Sequence, residues 1–286
     1  MKQKTTVFDV FNVIFIIILT FLWFYPLWYA IVSSFSTAKG YYADPYHIIP
    51  KSFTLDNFTY ILTDKSVVGA FFVSLKTTVT GTILSVFLTA MAGYCLTKTD
   101  LPGVKVIYRL IILSMYISGG TVPMYLLVTN LQLKNTIWSL ILPGVIGTFN
   151  MVLARNFFLS LPESLEEAAK IDGATEFGVF LKIIIPLSKP ILATLVLYYA
   201  VGYWNSYMNA ILYMTEAEHF TLPVILRSML QGASKETMDQ VNAAQNSFRE
   251  GMNMATVLIT MLPILMIYPF LQKYFVKGVM IGAVKG

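Results

Sequence analysis

Six long apolar runs organise the chain: Val13–Phe35, Val67–Leu96, Val106–Val128, Thr136–Leu159, Ile183–Tyr213 and Met252–Val276. Each reaches the roughly 20 residues that a helix needs to cross a bilayer. The pattern therefore predicts an all-α membrane protein with six transmembrane helices. The first run is longer than the 7–15-residue core of a signal peptide, so it is expected to stay in the membrane as a span. Prolines stand within or beside most runs (Pro26, Pro123, Pro143, Pro186, Pro190, Pro263, Pro269), and Ser118–Pro123, reading SGGTVP, is the strongest break. Each proline removes a backbone donor and favours a kink. Ordinary packing of membrane helices and a part in gating both account for them.

Composition points the same way. Of 286 residues, 56% are hydrophobic and 12% charged, with a mean hydropathy of +0.67. That is half the charged fraction of an average soluble domain, about 25%. The basic residues fix a direction. Lys2 and Lys4 precede the first run, and Lys98, Lys105 and Arg109 crowd the short second connection. Arg155, Lys170, Lys182 and Lys189 mark the fourth connection; Lys273, Lys277 and Lys285 mark the tail. The excess of Lys and Arg on cytoplasmic loops places both termini in the cytoplasm.

Several chemistries are excluded. Cys95 is the only cysteine, and His47 and His219 have no ligand-spaced neighbours, so no metal site is expected. No GxxxxGK[ST] phosphate loop occurs, so any ATP site must lie on another chain. The run interiors hold no carboxylate, and of the basic residues only Lys76 lies well inside one. A buried charge costs about 2.5–3.5 kcal/mol on insertion scales, so an ion-coupled carrier keeps one for a purpose. Nucleic acid is not an expected partner; the net charge of +5 is explained by lysines at membrane edges.

The fourth connection, 160–186, is too charged to face lipid, yet it carries helical signals. Ser160 and Glu163 have capping-box spacing, and Pro162 suits a first turn. Glu163, Glu166 and Glu167 place negative charge at the helix start, and Lys170 follows one turn later. Leu161, Leu165, Ala168, Ala169 and Asp172 fall on one side, and the alanines make it thin enough for a partner's backbone. Gly173 is suited to a left-handed helix end, after which Phe177, Phe180, Leu181 and Ile184 form a second apolar stripe.

Glu167-Ala168-Ala169, Gly173, Ile183 and Pro186 resemble the EAA motif of importer permeases of the ATP-binding cassette class. Ile185 departs from the usual Leu. The string EAAKIDGA, Phe180 and PLSKP are similar to the carbohydrate-uptake branch. The tail 277–286 resembles the ending of a maltose-permease subunit, and Met115–Phe158 resembles permeases of complex-polysaccharide, lipoprotein-associated systems.

The resemblance implies one permease domain over 1–286 with the type I importer fold. It is a non-catalytic subunit forming half of the pathway of an ATP-driven, binding-protein-dependent oligosaccharide importer in the bacterial plasma membrane. Glu166, Glu167, Ala168, Ala169, Asp172, Gly173, Ala174, Phe177 and Phe180 would belong to the coupling helix that docks on an ATPase. The implied partners are a second, different permease, two nucleotide-binding subunits, an extracytoplasmic binding lipoprotein, the sugar and lipid. This chain would bind no cofactor, ATP and Mg residing on the ATPase. An amino-acid or phosphate permease is the alternative within the class.

Two further regions keep two readings each. The tail residues Lys277, Gly278, Gly282 and Lys285 either reach between the ATPase subunits or form a disordered end. Trp204, Asn205, Tyr207 and Asn209 either border the sugar pathway or serve as interfacial aromatics and helix-pairing amides. Asn205 and Asn209, four apart in one helix, are expected on the same face. The outer stretch Met214–Gly251 is expected as a long polar loop, either a solvated cap or an arm toward the binding protein.

Overall fold

The computed structural model describes residues 6–231 and 248–283, the last helix by its backbone alone at 268 and 270–283. Apart from one isolated bridge between Ser36 and Phe53, the regular structure among the described residues is helical. By internal packing the chain forms two units. One holds the described residues of Met1–Val68 and Leu226–Leu262; the other holds those of Gly69–Ile225 and Pro263–Gly286.

In the first unit, α1 (Val7–Ser34) begins at a capping box formed by Thr6 and Asp9. It is apolar all round and most of its large side chains are exposed, as expected of a helix whose solvent is lipid or a neighbouring subunit. Short helices α2 (Ala38–Tyr42) and α3 (Asp56–Thr63) follow. Buried Asn57 donates to the carbonyls of Ser34 and Ser36 at 2.9 and 3.0 Å, satisfying groups that the end of α1 leaves without intrahelical partners.

In the second unit the apolar runs become helices of unequal integrity. α4 (Lys65–Cys95) is continuous. The run expected at Val106–Val128 is two helices, α5 (Val104–Ser114) and α6 (Thr121–Asn130). Residues 115–120 separate them, and Gly120 takes φ +86° at the start of α6. The next run comprises α7 (Ile137–Ile141), a tight turn at Leu142–Gly144 and α8 (Thr148–Phe158), bent by 51°.

The connection that follows holds α9 (Ser164–Ile171) and α10 (Glu176–Val179), leading through a wide π turn at Phe180–Ile184 into α11 (Ile185–Leu187). An 84° corner at Ser188 then leads into α12 (Lys189–Trp204). Pro190 explains the corner: it cannot bond the Pro186 carbonyl, and its ring disfavours a helical residue before it. α13 (Met208–Tyr213), α14 (Leu222–Gln231) and α15 (Arg249–Ala283) complete the order. Among the described residues three helices are long and apolar enough to cross a membrane, and the two bent pairs raise that to as many as five. The broken segment α5–α6 is not among them.

Two tyrosines of α12 hold the bent region. The Tyr199 hydroxyl accepts the Gly147 N–H at 2.8 Å, at the foot of α8, and lies 2.6 Å from the Thr89 hydroxyl. The Tyr203 hydroxyl lies 2.7 Å from Ser85 and donates to the Ile141 carbonyl at 3.3 Å. Polar groups released by the bend around Pro143 thus find partners inside the apolar packing, where leaving them unpaired costs about 1–3 kcal/mol each.

Candidate functional site

The charged connection is a helix–turn–helix with an anchored side and a bare side. α9 ends at a Schellman turn: the Gly173 N–H donates to Lys170 O at 3.0 Å and the Ala174 N–H to Ala169 O at 2.9 Å. Gly173 takes φ +81°, the left-handed conformation that closes such a turn. The start of α9 differs from expectation. Ser160 forms no capping box; its hydroxyl turns back to the Phe157 carbonyl at 2.6 Å, and Glu163 occupies the cap position without a side-chain bond. Ser160 lies just past α8, so a carbonyl at that helix's end claims the hydroxyl first.

The two alanines also part company. Ala169 is buried against Val179, Phe180, Ile184 and the end of α4, whereas Ala168 is exposed, because successive helical residues point about 100° apart. The single thin side expected over Leu161, Leu165, Ala168, Ala169 and Asp172 is therefore split. Phe180 stacks on Tyr94 at 5.4 Å and is 2% exposed; Phe177 is 55% exposed. The outer surface presents Glu167, Ala168, Ile171 (86% exposed), Asp172, Gly173, Ala174 and Phe177.

A charge cluster ties the inner side down. Lys98, just after α4, is ion-paired to Glu166 and lies 3.8 Å from Glu176. Lys170 bonds Glu176 at 2.6 Å, and the Lys98 ammonium sits 4.4 Å over the Tyr94 ring. Burial pushes the Lys98 ammonium down, but its bonds to Glu166 and Tyr94 outweigh that and hold it above its ordinary value. The Lys170 hydrogen bond holds the Glu176 carboxyl below the ordinary range against a smaller opposing effect of burial, and Lys98 adds to it. Neither Lys98 nor Tyr94 was legible as part of this loop, since a contact across 68 residues leaves no local pattern.

The expected amide pair does not form. α12 stops at Trp204 with Asn205 as its cap, and α13 starts only at Met208, so Asn205 and Asn209 are not one helical turn apart. Both are exposed, whereas Trp204 is buried edge-on against Phe71 and Tyr207 is half-buried. Trp204 also borders a narrow apolar cleft with Thr78, Val201 and Pro263.

In the outer stretch, α14 replaces part of the expected loop, and Lys235, Glu236 and Asp239 lie outside the described residues. His219 proves to have neighbours after all, 3.3 Å from Glu216 and 3.9 Å from Glu218, an exposed cluster of a kind common without an ion. In the tail, Lys277, Gly278 and Gly282 lie on the helical backbone of α15, and Lys285 lies outside the described residues.

Comparison with known proteins decides the class. Residues 102–281 match the family model described as the binding-protein-dependent transport system inner membrane component. The chain belongs to this family.

The permease is 42% identical to Protein LplC of Bacillus subtilis (strain 168) over 282 residues, 98% of this chain and 95% of that one. It is 37% identical to the polygalacturonan/rhamnogalacturonan transport system permease protein YtcP of the same organism, covering 99% of this chain and all of the relative. A solved chain from a bacterial ABC transporter involved in the import of the acidic polysaccharide alginate superposes with a TM-score of 0.89 at 27% identity. That match covers 94% of this chain and 96% of the other. The fold is thus that of a type I ABC importer permease, and the protein is a membrane-embedded transport subunit, not an enzyme.

Proposed function

We propose that the permease lines half of an oligosaccharide pathway and is driven through α9 by a separate ATPase. The observation that carries this reading is the two-sided build of the loop. Glu166, Ala169 and Phe180 anchor it to its own unit, while Glu167, Ala168, Ile171, Asp172 and Phe177 are left to meet another protein. A second, different permease completes the pathway, two nucleotide-binding subunits carry ATP and Mg, and this chain binds no cofactor itself. A binding lipoprotein delivers the sugar from outside. Both termini, and the loop between α8 and α12, face the cytoplasm, as the lysine and arginine distribution favours.

In this reading six spans cross the bilayer, the broken segment α5–α6 and the bent pairs each counting as one. ATP closes the nucleotide-binding dimer, its clefts carry α9 with them, and the motion passes through the π turn and the corner at Ser188 to α12. Relatives whose names refer to polygalacturonan, rhamnogalacturonan and arabinooligosaccharides support an oligosaccharide cargo. The tail and Trp204, Asn205, Tyr207 and Asn209 are assigned to ATPase contact and to the pathway as parts of the same proposal.

Cysteine placed at Ala168 or Ile171, in a Cys95→Ser background, tests the central claim. In membranes containing the whole importer it should cross-link to the ATPase and to no other subunit, and cross-linking should abolish uptake. Labelling of either position from the outer side of intact cells, or free transport after cross-linking, would refute the reading.

A further inference from the structure

Beside the coupling loop lies a cavity of about 240 Å³, lined by Leu96, Thr99, Lys105, Tyr108, Arg109 and Arg155 among others. One water needs roughly 10–15 Å³ on this measure, so a tetrahedral oxyanion and part of what it is attached to fit easily. The lining includes three cations and no carboxylate. Among the described residues, the salt bridges engage Lys98, Lys170 and His219, and none engages Lys105, Arg109 or Arg155.

The three cations are arranged, not merely abundant. Lys105 and Arg109 stand one turn apart on α5, a spacing at which like charges repel. Arg155, from the last turn of α8, faces them. Its Nε donates to the Leu96 carbonyl at 2.9 Å and its guanidinium lies 4.1 Å over the Tyr108 ring, so the head group is held in place before any ligand arrives. Its two Nη groups have no hydrogen-bond acceptor among the described residues. Two further donors converge. Thr99 supplies a hydroxyl, and the first turn of α5, capped only by Gly103 at φ +87°, leaves the Lys105 N–H without a backbone acceptor.

The cytoplasmic excess of basic residues explains why this connection is positive. It does not explain why three cations from two helices line one cavity with no counter-charge. We infer that this cavity is a binding site for an anionic phosphate group, held by Lys105, Arg109 and Arg155. A guanidinium fork and a nearby ammonium suit a phosphate in geometry as well as charge. A lipid phosphodiester and free inorganic phosphate offer the same chemistry. The site stands independently of the transport reading, since it uses none of the coupling residues.

The test uses the whole importer, purified in neutral detergent and examined by native mass spectrometry with added phosphatidylglycerol. Three forms are compared: the unaltered protein, Lys105→Gln/Arg109→Gln, and Lys182→Gln/Lys189→Gln, which removes two cations outside the cavity. Arg155 is left intact because it also caps the end of α4, and Lys105→Arg/Arg109→Lys reports whether charge alone suffices. At roughly fivefold per charge near a membrane surface, the cavity variant should bind the lipid about 25-fold more weakly. The control should change less than twofold, and the charge-preserving variant should retain binding.

A second arm measures inorganic phosphate by thermal shift in lipid-free detergent. Phosphate stabilisation lost in the cavity variant, without a difference in lipid retention, would support the site and assign it to free phosphate. Equal lipid retention in the cavity and control variants, with no phosphate stabilisation in the unaltered protein, would overturn the inference.

Discussion

Lys98 and Glu166 form an ion pair that fastens the EAA loop to the end of α4, each side chain 22% exposed. Because the pair is only partly screened, reversing one charge does more than remove a contact: Lys98→Glu would set a third carboxylate against Glu166 and Glu176. A cost of about 1–2 kcal/mol shifts a local equilibrium 5- to 30-fold. We expect Lys98→Glu to insert normally but to lose coupled uptake by that order, with ATP hydrolysis continuing. Lys98→Glu/Glu166→Lys should recover part of the uptake. Rescue would separate a positioning role from a simple need for a positive charge, and its failure would count against the pair.

The same cluster sets a pH window. The Glu176 carboxyl is depressed below its ordinary value of 4.5, so its contribution is present above that value and is lost as pH falls through the depressed one. Lys98 is raised above 10.5, so its contribution is complete below 10.5 and fades only as pH rises past the raised value. The loop should therefore be held firmly from about 4.5 to 10.5. A spin label on Ile171→Cys, in a Cys95→Ser background, should show constant mobility between those limits and loosen in acid below 4.5. Adding Glu176→Gln should loosen it at neutral pH and remove the acid step.

Gly173 can be tested without steric confusion, because an added Cβ would meet nothing within 4 Å. Gly173→Ala then reports backbone conformation alone, at about 1 kcal/mol for an ordinary residue held left-handed. Gly173→Pro also deletes the N–H that bonds Lys170 and fixes φ on the wrong side of zero. The alanine variant should keep most transport. The proline variant should insert, retain ATPase association in part, and uncouple hydrolysis from uptake. Equal behaviour of the two in an uptake assay would show that the turn's geometry is immaterial.

What the sequence made legible was local. The end of α9 followed from Gly173, the break before α6 from SGGTVP, and the bilayer-length runs from apolar composition. What escaped it depends on distance or competition. Ser160 has the spacing of a cap, but it sits where the last carbonyls of α8 need a donor, and proximity decided. Asn205 and Asn209 shared a face only if one helix ran through both, and the chain breaks between Trp204 and Met208. The Lys98–Glu166 pair and the tyrosine bonds across α4, α8 and α12 join residues 52 to 118 apart. Nothing in a window of about 11–18 residues, the range over which periodicity is read, encodes them.

Tyr203 offers the sharpest test of those long-range bonds, because Gly81 of α4 lies under its ring. A Cβ at Gly81 would stand 2.8–2.9 Å from three ring carbons, too close for any real contact, and the hydroxyl's bonds to Ser85 and Ile141 keep the ring from moving aside. Gly81→Ala should therefore destabilise by about 1–3 kcal/mol, as overpacking does. Tyr203→Phe removes the hydroxyl but not the ring, so it should add its own loss without relieving the first. Tyr203→Leu should relieve it, leaving Gly81→Ala/Tyr203→Leu less destabilised than the sum of its parts by about 0.5 kcal/mol or more. Thermal unfolding of these variants in detergent measures the coupling, and strict additivity would mean that α4 and α12 do not approach as closely as Gly81 permits.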